Sequence, residues 1–160
     1  MDKMAHKYTQ ILVAIDGSNG AEVALKRAIE SVKHNQGVKL DILRVLDLNS
    51  LEYGGAGIAL DGERIYKIEQ ANEDYLLKLK ERLLKNNEID SDKINVHLRF
   101  GNPKVVILDF QKEYQNDLII VGSTGKNFIE RLVVGSVASY IIRNADCDVL
   151  MARTNFQKKE

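Results

Sequence analysis

The sequence predicts an α/β domain: a doubly wound, five-stranded parallel sheet between two layers of helices. Three observations carry this. Five short apolar runs punctuate the chain, helical periodicity fills the segments between them, and neither a linker nor an internal repeat divides the 160 residues. Strands alternating with helices imply crossovers between parallel strands, and a parallel sheet has both faces covered. The length suits one domain, 1–160, with one sizeable core.

Ile11-Leu12-Val13-Ala14-Ile15 is an apolar run halted by Asp16-Gly17-Ser18, a buried strand followed by a turn. Ala21, Ala24, Leu25, Ala28, Ile29 and Val32 then recur at helical spacing, so an amphipathic helix follows, ended by Gln36-Gly37. Val38 to Asp47 is the second strand, with Ile42, Leu43, Val45 and Leu46 as its apolar content. Residues 49–62 hold Gly54, Gly55, Gly57 and Gly62 without a clear period. They are expected to form a flexible insertion, either a lid or a disordered loop. A long helix runs from about Glu63 to Asn87, its buried face marked by Ile65, Ile68, Tyr75, Leu76, Leu79 and Leu83. Ile94 to Phe100 is the third strand. Asn102 can cap the next helix and Pro103 suits its first position; Val106, Ile107, Phe110 and Tyr114 give that helix its face. Asp117 to Val121 is the most apolar strand, a helix spans Ser136 to Asn144, Cys147 to Arg153 is the last strand, and 154–160 is a tail.

Composition narrows the function classes. Hydrophobic residues at 44% and charged residues at 29% describe a globular chain rather than a disordered one. Lys plus Arg equals Asp plus Glu, 23 each, so the basic footprint of a general nucleic-acid or anionic-membrane binder is missing. Met1 to Gln10 is polar, without an apolar signal core, and no run approaches the ~20 apolar residues of a membrane helix. The single cysteine, Cys147, fits a reducing compartment, and a cytoplasmic location is expected. His6, His34 and His97 lie far apart, which disfavours a zinc site.

Chemistry concentrates after the fourth strand. The chain reads Gly122-Ser123-Thr124-Gly125, then nine residues, then Gly135-Ser136. Closely spaced glycines let backbone N–H groups approach an anion. Gly135-Ser136 opens a helix, whose unpaired N–H groups and partial positive charge favour phosphate. Ser123, Thr124 and Ser136 add hydroxyls, and Lys126 adds a cation. The competing reading makes these glycines tight turns and nothing more. Gly125-Lys126 resembles the end of a P-loop, but Ile120 and Asn127 occupy positions where that motif needs Gly and Ser or Thr. No GxGxxG follows the first strand and no GxSxG is present.

The spacing Gly, two residues, Gly, nine residues, Gly-Ser resembles the ATP-binding signature of universal stress proteins. Ile11 to Ser18, Gly101-Asn102-Pro103, Asp117 to Ser123 and Cys147 to Leu150 are similar to further segments of that family. The resemblance spans the chain except for about 49–62. It implies the strand order 3-2-1-4-5, which brings Asp16 and Gly122 to one crevice at the carboxyl ends of strands one and four. It also implies that Asp16 contacts the adenosine portion of ATP, that Ala14, Val45 and Val121 line the base, and that Gly122 and Gly125 approach ribose and phosphates. Gly135, Ser136 and Val137 would bind the phosphates, with Ser123, Thr124 and Lys126 beside them. For Asp16 the alternative is a turn or cap aspartate; for Ala14 and Val45 it is plain core. Thr124 departs from the histidine or arginine common at its position, and Gln111 from a small residue on the fourth helix. Mg²⁺ is implied by the charge of ATP rather than by protein ligands, and ADP, AMP or a cyclic nucleotide stay open as alternatives.

Three function classes follow: a nucleotide-binding stress or signalling module, a slow ATPase or phosphotransferase, and a dimeric interaction protein without useful nucleotide binding. No catalytic residue stands out; Glu130 and Arg131 are the charged candidates near the loop, and both read more simply as a solvated helix face. The intact glycine pattern favours the first class. Val149-Leu150-Met151-Ala152 is an apolar strand at the sheet edge, and such edges invite pairing. Family resemblance adds the expectation of a homodimer through this strand.

Overall fold

The computed structural model describes residues 8–53, 61–123 and 134–153, with the side chains of 51–53 excepted. Strand β1 (Gln10–Ile15) ends where the sequence expects. Gly17 takes a φ of 81°, and the Ser18 amide donates to Asp16 Oδ1 at 2.9 Å. Ser18 Oγ in turn accepts from the Ala21 amide at 3.2 Å, capping helix α1 (Asn19–His34). Strand β2 (Lys39–Leu46) is shorter at both ends than expected.

The expected insertion needs correction at its start. Helix α2 (Leu48–Tyr53) occupies residues 48–53, because the Asp47 carboxylate leaves the strand to accept from the amides of Asn49 and Ser50 and from the Ser50 hydroxyl. A six-residue helix is too short to reveal a period. Residues 54–60 lie outside the described residues, and Gly62 opens α3 (Gly62–Asn87), capped by Asp61. Helix α3 is about 39 Å long at 1.5 Å per residue, against roughly 26 Å for the strand it follows. Its first turns therefore overhang the sheet. Ile65 and Ile68 are only partly buried, and Tyr75, expected on the buried face, is 43% exposed, with the Arg44 guanidinium 5.0 Å from its ring centre.

Strand β3 (Ile94–Phe100) leads through Asn102, whose side chain accepts from the Lys104 amide, into α4 (Pro103–Tyr114). Strand β4 (Leu118–Gly122), helix α5 (Ser136–Asn144) and strand β5 (Asp148–Ala152) complete the chain. The strands are parallel in the order β3-β2-β1-β4-β5. Alternation along each strand divides the core. Ile11, Val13, Ile15, Leu40 and Ile42 pack under α1 and α3, whereas Leu12, Leu43, Ile119 and Val121 pack under α4 and α5 with Ile107, Phe110 and Ile141. Leu108 and Gln111 join the buried face of α4; Val106 and Tyr114 stay partly exposed.

One carboxylate interrupts the apolar face under α4. Asp41 is 1% exposed. Its Oδ1 accepts from His97 Nε2 at 2.9 Å, and its Oδ2 from Gln10 Nε2 at 2.7 Å and Asn116 Nδ2 at 2.9 Å. Gln111 Nε2 donates to the Asn116 carbonyl, and the His97 ring meets Phe110 edge-on at 4.8 Å. Burial pushes the Asp41 carboxyl up, but the hydrogen bonds from His97, Gln10 and Asn116 outweigh it and hold the group below the usual carboxylate range. A carboxyl depressed in the folded state contributes stability above its unfolded value of ~3.9, and that contribution is lost as pH falls through the folded value. Asp41→Asn is expected to cost about 3 kcal/mol at pH 7, as when one partner of a buried pair is removed, and to flatten the loss of stability below about pH 4. Urea unfolding at pH 7 and at steps from about pH 4 down to about pH 2 measures both; a variant as stable as the parent at pH 7 would refute the account.

Candidate functional site

Strand order reverses between β1 and β4. The helix after β1 leaves toward one face and the helix after β4 toward the other, which opens a crevice at the carboxyl ends of these two strands. Asp16 stands at the rim, exposed. Its Oδ1 holds the turn through the Ser18 amide, so the turn role is real. Oδ2 has no hydrogen-bond partner among the described residues. Ile15 pairs with Arg44, so Asp16 and Val45 follow at the same level of the sheet. Ala14, Val45 and Val137 are half-buried against the cluster that contains Val121, and these four apolar residues come together from β1, β2, α5 and β4.

The ends of the glycine-rich segment meet. The Ser123 amide donates to the Ala152 carbonyl at 2.9 Å, and the Gly135 amide donates to the Ser123 carbonyl at 2.7 Å. Gly122 and Ser123 thus lie beside Gly135 and Ser136, at the start of α5. Gly135 is the N-cap of α5 and supplies no side-chain hydrogen bond. The first-turn N–H groups of Ser136, Val137 and Ala138 lack intrahelical acceptors by helix geometry. A helix start with no side-chain cap suits an anion. Thr124, Gly125 and Lys126, and with them Glu130 and Arg131, lie outside the described residues.

Gly122 has a further reason to be glycine. A Cβ there would sit 2.5 Å from the Gly20 carbonyl oxygen and against other Gly20 backbone atoms. The end of β4 is pressed backbone to backbone against the first turn of α1. Gly20 was not singled out in the sequence, although a glycine in the first turn of an alanine-rich helix is the signal that could have drawn notice. Its neighbour Ser18, the buried cap, is likewise a structural part of this corner.

Among the described residues no group of three His, Cys, Asp or Glu is placed to hold a metal ion. The donor set at the crevice is backbone N–H, hydroxyl and one carboxylate, beside an apolar patch. It fits a nucleoside phosphate better than a bare cation, and a Mg²⁺ ion there would ride on the phosphates.

The universal stress protein family model matches residues 7–153. The chain belongs to the universal stress protein family. A Staphylococcus aureus (strain USA300) protein named for the same family is 38% identical over 148 residues, covering 92% of this chain and 85% of that protein. Among solved structures, universal stress protein UspA from Lactobacillus plantarum superposes with a TM-score of 0.73 at 28% identity, over 92% of this chain and 99% of that one. A universal stress family protein from Arabidopsis thaliana with AMP bound shares the fold, with a TM-score of 0.61 at 19% identity over 92% of each chain.

In this universal stress protein the Gly20–Gly122 contact predicts that Gly122→Ala destabilises the nucleotide-free protein by about 1–3 kcal/mol, the usual cost of overpacking. Thermal unfolding without nucleotide measures it. An unchanged midpoint would mean that the two backbones do not touch.

Proposed function

We propose that this universal stress protein binds ATP with Mg²⁺ in the crevice between β1 and β4, and acts as a nucleotide-dependent stress-response or signalling module. The observation that carries the reading is the Gly135–Ser123 backbone hydrogen bond, which closes the glycine-rich segment and joins its two halves at the open start of α5. In this reading the Asp16 oxygen left free by the turn accepts a ribose hydroxyl. Ala14, Val45 and Val121 offer the adenine an apolar wall. The amides of Ser136 and Val137, with the Ser136 hydroxyl, hold the phosphates, while Gly122, Ser123 and Gly135, the last two with their amides already paired, let the phosphates approach the backbone. Thr124, Gly125 and Lys126 complete the cradle on sequence grounds. The AMP-bound Arabidopsis thaliana relative supports an adenine nucleotide at this fold and leaves the phosphate number to experiment. Binding rather than turnover is proposed: Cys147, a nucleophile by type, lies at the opposite end of the sheet with its thiol pushed up by burial and by Asp148.

Calorimetric titration of nucleotide-stripped protein with ATP and Mg²⁺ is expected to give saturable binding. Gly135→Val is expected to weaken it by about tenfold or more, equivalent to ~1.4 kcal/mol. No heat at millimolar ATP from folded protein would remove the proposal, and unchanged affinity in folded Gly135→Val would move the site elsewhere.

The same reading includes a homodimer through β5 in a cytoplasmic setting. β5 is an edge strand, Leu150 on it is 40% exposed, and Val149 and Met151 are half-buried. The side chain of Ala152 is buried under α1, so only its backbone edge remains for a partner. Light scattering is expected to return twice the chain mass for the parent and a lower mass for Leu150→Lys; a monomeric parent at high micromolar concentration would end this part of the proposal.

A further inference from the structure

A second concavity lies on the other face of the sheet, between α1 and α3. It encloses about 260 Å³. Its origin is in how the helices sit. Helix α1 lies chiefly over β1 and β4, and α3 over β3, so β2 runs beneath the gap between them. On the opposite face α4 and α5 come together directly. Leu25 and Ile29 of α1 and Leu79 and Leu83 of α3 line the trough from its two sides. Ile29 and Leu79 are buried, whereas Leu25 and Leu83 remain partly exposed. Apolar surface left facing a concavity is surface that an apolar occupant can still remove from water. Tyr75 adds an aromatic wall. The Arg44 guanidinium, 5.0 Å from the ring centre, holds that ring in place before anything binds.

Charge decides the class of occupant. Four charged residues line the groove: Glu22, Lys26 and Glu30 of α1, and Arg82 of α3. Two of each sign leave no net charge. Glu22, Lys26 and Glu30 follow one another at four-residue spacing, so the ammonium has a carboxylate one helical turn away on either side. Arg44 does not alter the balance, since it lies outside the lining and its Nε is buried. An ion entering the groove would give up hydration without meeting a net opposite charge, and an uncharged molecule avoids that cost. An aryl body suits the Tyr75 ring by offset or edge-on packing. The volume falls below the ~300–1,000 Å³ typical of drug-sized ligands, so the occupant is small.

We propose that the α1–α3 groove is a binding site for a small uncharged aryl compound, whose ring lies against Tyr75 and between Leu25, Ile29, Leu79 and Leu83. This site does not depend on nucleotide binding: the apolar patch of the crevice, with Val45 and Val121, belongs to the other face of the sheet.

The test is an amide-resolved NMR titration of the full chain with 2-naphthamide, alongside 2-naphthoate and 2-naphthylmethylammonium, which carry the same ring with opposite charges. Saturable shifts centred on Leu25, Ile29, Tyr75 and Leu79 are expected with naphthamide. Both ions are expected to bind at least about threefold more weakly. An ion that binds as tightly as naphthamide would overturn the proposal, as would shifts centred instead on Ala14, Val45 and Gly122, or no shift at millimolar naphthamide. Leu83→Trp, which fills the groove, is expected to abolish the shifts, and retained binding in the folded variant would refute the site. Should that variant fail to fold, Leu25→Asp decides by setting a carboxylate in the apolar wall: affinity lowered about tenfold supports the site, and unchanged affinity refutes it.

Discussion

Asp41 accepts hydrogen bonds from three other parts of the sheet: Gln10 of β1, His97 of β3, and Asn116 just before β4. With 1% of its surface exposed, it has no recourse to water. A parallel sheet whose strands are apolar on both faces carries little internal information about register, because one apolar residue substitutes well for another. The carboxylate supplies that information. A slip of one residue in β1 or β3 would take one of its three donors from a buried charge, a cost that falls on that register alone. Asp117 does a similar job beside it, accepting from the amides of Thr9 and Gln10 and from the Thr9 hydroxyl. The amino-terminal half of the sheet is thereby fixed by polar contacts of defined direction.

The carboxyl-terminal end is organised differently. There, backbone meets backbone, at Gly20 against Gly122 and at Ser123 against Gly135. Side chains are kept out, the first amides of α5 are left without intrahelical acceptors, and the carboxylate of Asp16 has one oxygen engaged and one without a partner among the described residues. Rigidity at one end of the strands and exposed polar backbone at the other is a division of labour suited to binding, since the groups offered to a ligand are held by elements that do not depend on it.

The apolar runs of β1 and β4 and the helical periods of α1 and α4 were legible because burial on both faces, or on one stripe, writes a strong pattern into sequence. The strand order was legible only through family resemblance. Helix α2 was not legible, since a single turn and a half capped by Asp47 has no period to read. Tyr75 sits in phase with Leu79 and Leu83, so periodicity placed it inside; its ring instead lies against the Arg44 guanidinium of β2, a contact between elements that periodicity does not encode. The Asp41 network was hidden for another reason. Its members, Gln10, Asp41, His97 and Asn116, are scattered over the chain, and each is an ordinary polar residue in its local context. At the crevice, Asp16, Gly122 and Gly135 were named from spacing, while Gly20 was not, because its importance comes only from what lies opposite.

The hydrogen bond between Gly135 and Ser123 has a consequence for how this chain can vary. It fixes the two ends of the intervening segment within one peptide unit of each other, whatever lies between. For a segment already closed in this way, added length is cheap: each doubling costs only ~0.6 kcal/mol in closure entropy. Val134, packed against the core under α4 and α5, marks where the sequence is held again. Length between Ser123 and Val134 can therefore vary at small entropic cost while the closing hydrogen bond holds β4 to the start of α5.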